Sequence, residues 1–216
     1  MLRFGGTRHS AAFQLTARVS VRGRGPVFYQ PIDSAGWRKK GKAPMEFVLD
    51  NGLIRVALST AGGSFTSIAA NGREYLWQGD PSVWSGQAPI CFPICGGLRD
   101  GRAMTMGGRE VKLARHGFAR KQEWKLEEQG DNMVALSLSS ADHAELLEQY
   151  PYPFKIVARY TIDSEKVAVA YEVTNEGTED MPFFVGGHPG FKCPLDEGES
   201  YDCLLYTSPS PRDTER

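Results

Sequence analysis

Two histidines of this chain sit in glycine-rich settings. One lies in His116-Gly117-Phe118-Ala119-Arg120, the other in Gly186-Gly187-His188-Pro189-Gly190-Phe191. Glycine lets the backbone turn sharply and lets a ligand come close. Imidazole titrates near neutrality, so each ring suits the giving and taking of protons. Phe118 and Phe191 follow at two or three positions and offer flat faces beside such a site. A histidine also serves as an ordinary core or surface residue. That is the reading for His9 and His143, which lack the glycine context. Paired histidines also bind metals, but no carboxylate motif completes a ligand set here. Cys91 and Cys95 form C-x₃-C in an apolar run, far from Cys193 and Cys203, with no histidine at zinc spacing. They read as reduced, buried, cytosolic thiols, so neither a metal nor a cofactor is expected.

Strands must carry these residues. Phe47-Val48-Leu49 and Leu53 to Leu58 flank Asp50-Asn51-Gly52 and read as a hairpin. Ser64 to Ile68 precedes a second turn at Asn71-Gly72. Met133 to Ser139, Lys155 to Ile162 and Lys166 to Thr174 are apolar or β-branched runs, the last two joined by Asp163-Ser164-Glu165. Phe183-Phe184-Val185 gives one more short run. A single short helix is expected, capped by Ser140, with Ala141 to Glu148 as its body and Pro151 closing it. Strands and helices do not alternate, so the chain is all-β, an antiparallel sandwich or barrel.

Composition bounds the function. The chain has 216 residues, 41% hydrophobic and 24% charged, as a soluble globular protein has, and its sequence holds no apolar run of membrane-spanning length. Residues 1–44 hold nine Lys or Arg and one acid, Asp33, which leaves a net charge of −9 on the remainder. An acidic body argues against nucleic acid as the main partner. Membrane association is not expected either, and a cytoplasmic protein of unspecified oligomeric state is.

Residues 1–44 show no sustained periodicity. They read as a basic N-terminal extension upstream of a natural start at Met45; a transit peptide and a nucleic-acid arm are the second and third readings. Residues 45–203 are the domain. Residues 204–216 contain Pro209 and Pro211, which exclude a central strand, and resemble a translated sequencing-adaptor scar, so they are treated as a non-native tail.

Glu74-Tyr75-Leu76-Trp77-Gln78-Gly79-Asp80-Pro81, Trp84-Ser85-Gly86 and Ala88-Pro89-Ile90-Cys91-Phe92-Pro93-Ile94 precede the two histidine motifs in order. Over residues 45–203 this set resembles the LacX-type branch of the aldose 1-epimerase family. The resemblance implies a galactose-mutarotase-like antiparallel β-sandwich (a supersandwich), incomplete at its C-terminus, with a sugar cleft on one sheet. It implies interconversion of the α and β anomers of a free aldohexose without metal or nucleotide. His188 would protonate the ring oxygen and His116 would bind and polarise the sugar. Arg120, Arg99, Phe118, Phe191 and Trp77 would bind substrate, and Trp84 is a further aromatic that could stack on the sugar. Gly97 stands where many relatives carry Arg. The family's catalytic base is a Glu in the C-terminal part of the domain. No residue here matches it, and Glu197 and Glu199 lie in a polar turn. The expectation is therefore a fragment that folds poorly or lacks activity. A hexose-6-phosphate 1-epimerase, for which Arg99, Arg102, Arg115 and Arg120 could supply the basic cluster, and a non-catalytic carbohydrate-binding domain are the alternatives.

Overall fold

The computed structural model describes residues 14–22, 43–195 and 198. Its strands are numbered in chain order. A five-stranded sheet runs β1 (Gln14–Arg22), β12 (Lys166–Asn175), β11 (Phe154–Asp163), β10 (Met133–Ser139), β9 (Lys125–Gly130). A four-stranded sheet runs β2 (Glu46–Asp50), β3 (Ile54–Ser59), β4 (Ser64–Ala70), β5 (Arg73–Glu74). Two short pairs complete the set: β6 (Ile90–Cys91) with β13 (Gly186–Gly187), and β7 (Arg102–Met104) with β8 (Glu110–Lys112). The strand pairings are antiparallel except that of β1 with β12.

Period-two alternation builds the core. β11 turns Phe154, Ile156, Ala158, Tyr160 and Ile162 inward, and β12 adds Val167, Val169, Tyr171 and Val173. The facing sheet contributes Ile54, Val56, Leu58, Phe65 and Ile68. The two layers meet where Phe65 packs edge-on against Tyr160, with ring centroids 4.7 Å apart. The Tyr160 hydroxyl donates to the Gly63 carbonyl across the same interface. This is the β-sandwich expected from the sequence.

Four local expectations change. Ser140 does not cap a helix. It is buried, its backbone N–H and hydroxyl donate to the Phe154 carbonyl, and its Oγ accepts from the Phe154 N–H. It thereby prolongs the β10–β11 pairing, and only a five-residue 3-10 turn, Ala144–Glu148, remains of the helix. Phe183–Val185 forms no strand. The Phe184 N–H donates to the Pro93 carbonyl while the Phe183 ring packs 5.9 Å from Phe92. Cys95 is exposed, whereas Cys91 is buried. The strand β1 falls in the basic segment that gave no periodicity. Leu15, Ala17, Val19 and Val21 nevertheless alternate with polar residues there, and that short signal was hidden by the surrounding glycines and arginines. Cys203, Glu197, Glu199 and residues 204–216 lie outside the described residues.

Candidate active site

Both histidine motifs hang from one segment, residues 89–96. On one side β13 pairs with β6, Gly186 opposite Cys91 and Gly187 opposite Ile90, and the His188 N–H donates to the Pro89 carbonyl at 3.0 Å. On the other side Gly117 forms a parallel bridge with Phe92. Phe118 N–H donates to the Phe92 carbonyl at 3.0 Å, and His116 N–H donates to the Gly96 carbonyl at 2.7 Å. The motifs are 72 positions apart in number (116 to 188) yet their imidazole centroids stand 5.5 Å apart, tilted by 53°.

Gly117 makes this approach possible. Its φ is +71°, and a Cβ built there would stand 2.1 Å from the Phe92 carbonyl oxygen. His116 itself has φ +66°, an uncommon conformation for a residue with a side chain. Its ring is held in return: the Gly96 N–H donates to Nδ1 at 3.1 Å. Nδ1 is therefore an acceptor. The Arg115 Nε–H donates to Nε2 in a long contact of 3.4 Å, so both ring nitrogens face N–H donors. Partial burial holds the His116 pKa below the ordinary histidine value, and the charges of Arg115, His188 and Arg120 push it the same way. A neutral His116 is the state this environment favours.

His188 is exposed. Its ring meets the edge of Trp84, with centroids 5.6 Å apart at 65°. Trp77 lies partly buried behind it, its indole Nε1 donating to the Trp84 carbonyl at 2.7 Å. Phe191 is partly buried, bridges Leu76 and packs on the core. Arg120 follows Phe118 in the 3-10 turn Ala119–Lys121, its Nη2 donating to the Arg115 carbonyl while its buried Nε has no partner. Arg99 is exposed on the 3-10 turn Arg99–Gly101, three residues past the glycine that holds His116.

Phe118 does not join this surface. It is 4% exposed and stacked on Phe154 at 5.7 Å, within a cluster that includes Phe92 and Tyr150. His116 and Gly117 both have positive φ, +66° and +71°, so the chain bends here instead of running as a strand, and the bend sends Phe118 into the core while His116 stays nearer the surface. Gly96 and the backbone of residues 89–92 are the parts of the site that the sequence pattern left without a role, and Trp84, expected only as a sugar-facing ring, also contacts His188. Burial pushes the Cys91 thiol up to about 11, so it is no thiolate nucleophile at neutral pH. Among the described residues, no group of three or more His, Cys, Asp or Glu is placed to hold a metal ion, and no helix is long and apolar enough to cross a membrane.

The fold and site together define an antiparallel β-sandwich with two glycine-flanked histidines brought close at its surface. Comparison with known proteins narrows it. Residues 45–203 match the family described as aldose 1-epimerase. The plasmid and chromosomal LacX proteins of Lactococcus lactis subsp. lactis are each 44% identical over 164 residues, 73% of this chain and 54% of theirs. A galactose mutarotase related enzyme from Lactobacillus acidophilus aligns with TM-score 0.68 at 32% identity, covering 72% of this chain and 52% of its own. A galactose mutarotase-like protein from Lactobacillus casei gives TM-score 0.66 at 26% identity, covering 71% of this chain and 52% of its own. This chain belongs to the aldose 1-epimerase family, and it spans about half the length of the curated relatives it matches.

Proposed function

We propose that this chain carries the histidine side of a site that interconverts the anomers of a free aldohexose. The paired imidazoles, 5.5 Å apart at the surface, are the observation that supports this most directly. His188 protonates the ring oxygen as the bond from the anomeric carbon to that oxygen breaks. A carboxylate base takes the proton of the anomeric hydroxyl, whose oxygen becomes the aldehyde oxygen. Rotation about the next carbon–carbon bond and reclosure by the reverse transfers give the other anomer. His116, neutral in this environment, binds and polarises the sugar near the anomeric centre. Arg120 and Arg99 supply further donors to sugar hydroxyls, and Trp77 and Phe191 back the sugar's apolar face.

No residue of the chain is assigned as the base. A site with its acid but without its base loses roughly 10²–10⁴-fold in rate. Polarimetry of α-D-glucose and α-D-galactose tests both parts. The expected result is a small excess over spontaneous mutarotation that disappears in His188→Asn. An excess that survives His188→Asn would overturn the histidine assignment, and a rate typical of a complete epimerase would overturn the missing base. Sugar binding with a rate indifferent to His188→Ala would favour a non-catalytic binding domain.

A phosphorylated hexose is the second reading. It is favoured by Arg115 and Arg120, whose charges reach His116. Glucose and glucose 6-phosphate compared as substrates separate the two.

A further inference from the structure

Trp84 lies beside the histidine pair in a slot made for it. A Cβ built at Gly86 would stand 2.6 Å from the indole Cε2 and Cζ2, and one built at Gly190 would stand 2.5 Å from Cζ3. Any side chain at either position would collide with the ring. The two glycines therefore act as the walls of a slot that fixes the indole. The loop that bears Trp84 is also tied down. Trp84 N–H donates to the Asp80 carbonyl at 2.7 Å, and the Asp80 carboxylate accepts from the Ser82 N–H and hydroxyl at 2.8 and 2.7 Å. Trp77 Nε1 holds the Trp84 carbonyl. Gly190, one wall of the slot, donates its N–H to the Gln87 carbonyl at 2.8 Å and accepts from Trp77 N–H at 2.8 Å. The loop with Trp84 and the loop with His188 are thus laced into one unit.

His188 needs such a support. Its backbone is fixed by Pro89, but its ring is exposed. His116 has its own brace in the Gly96 N–H. The ring contacts of His188 are the His116 imidazole at 5.5 Å and the Trp84 indole at 5.6 Å. An edge-to-face aromatic contact favours one rotamer of an exposed side chain over the others.

The geometry points to Trp84 as the positioning residue of His188: its slotted indole holds the imidazole turned toward His116. The role matters for chemistry only if His188 is the acid proposed above, since a reacting group displaced by about 1 Å loses much of its rate. The test does not need turnover. In the full chain labelled with ¹³C-histidine, relaxation of Cε1–H reports ring order at His188 and His116 separately. Trp84→Leu is expected to drop the His188 order parameter to below about 0.6 while His116 stays near its wild-type value. Trp84→Phe, which returns an aromatic ring to the slot, is expected to restore most of it. Unchanged His188 order in a folded Trp84→Leu variant would overturn the proposal. So would an equal loss at both histidines. Should Trp84→Leu not fold, the wild-type chain decides: nuclear Overhauser contacts between the Trp84 ring and His188 Cε1–H or Cδ2–H are expected, and their absence refutes the contact. Where catalysis is measurable, Trp84→Leu should lower kcat roughly tenfold with KM within about twofold. A loss confined to KM would make Trp84 a sugar platform instead. Absence of catalysis in every variant would count against the epimerase reading and leave the order measurement standing.

Discussion

Replacing Gly117 by Ala should unfold the site from its hinge. Two costs add. Gly117 has φ +71°, and holding a residue with a Cβ in that region costs about 1–2 kcal/mol. The new methyl would also stand 2.1 Å from the Phe92 carbonyl oxygen, 2.5 Å from its carbon and 2.8 Å from Pro93 N. These are backbone atoms of the segment that carries both histidine motifs, so no side-chain rotation relieves the clash. Overpacking of this kind costs about 1–3 kcal/mol. The sum is about 2–5 kcal/mol, which for a chain of this size lowers Tm by roughly 5–20 °C. Gly52→Ala is the matched control, since Gly52 has φ +81° and nothing within 4 Å of a built Cβ. It should lose only the conformational part. Urea denaturation of both variants, read as the shift in midpoint at constant slope, separates the terms. Gly117→Ala losing no more than Gly52→Ala would refute the claim that the Phe92 contact demands glycine.

Other outcomes follow from the same geometry. His116 has a lowered pKa in the fold, so between its folded value and about 6.5 the unfolded chain binds more protons; its contribution to stability is present above that window and lost as pH falls through it. Urea midpoints at pH 5 to 8 should therefore fall less steeply on the acid side for His116→Gln than for wild type, and parallel curves would contradict the burial and charge argument. Ser140→Ala should cost about 1–3 kcal/mol, because it strips a buried partner from both the N–H and the carbonyl of Phe154; a chemical denaturation curve within 0.5 kcal/mol of wild type, roughly the scatter of neutral surface changes, would show that Ser140 does not hold that corner. Phe118→Ala should cost about 3–5 kcal/mol from the core, with sugar affinity of the folded fraction unchanged by calorimetry; lost affinity in a fully folded variant would return Phe118 to the site.

Local pattern by itself determined a great deal of this protein. The alternation in Lys155 to Ile162 and Lys166 to Thr174 states which residues turn inward, because the pleat repeats every two residues whatever lies opposite. Asn71-Gly72 marks its own turn, with both residues at positive φ. The two His-Gly settings and their order along the chain were enough to suggest acid–base chemistry. Only tertiary structure decided which neighbour each element would meet. Ser140 has the residue type of a helix cap, yet the Phe154 backbone, fourteen residues on, engages its hydroxyl in two hydrogen bonds. Phe118 has the type of a ligand-facing ring, yet the bend at His116 and Gly117 sends it onto Phe154. The 5.5 Å between the imidazoles is set by residues 89–96, which pair with both motifs at once. Strand partnership is a long-range choice made by closure of the whole core, and nothing in the spacing of either motif encodes it.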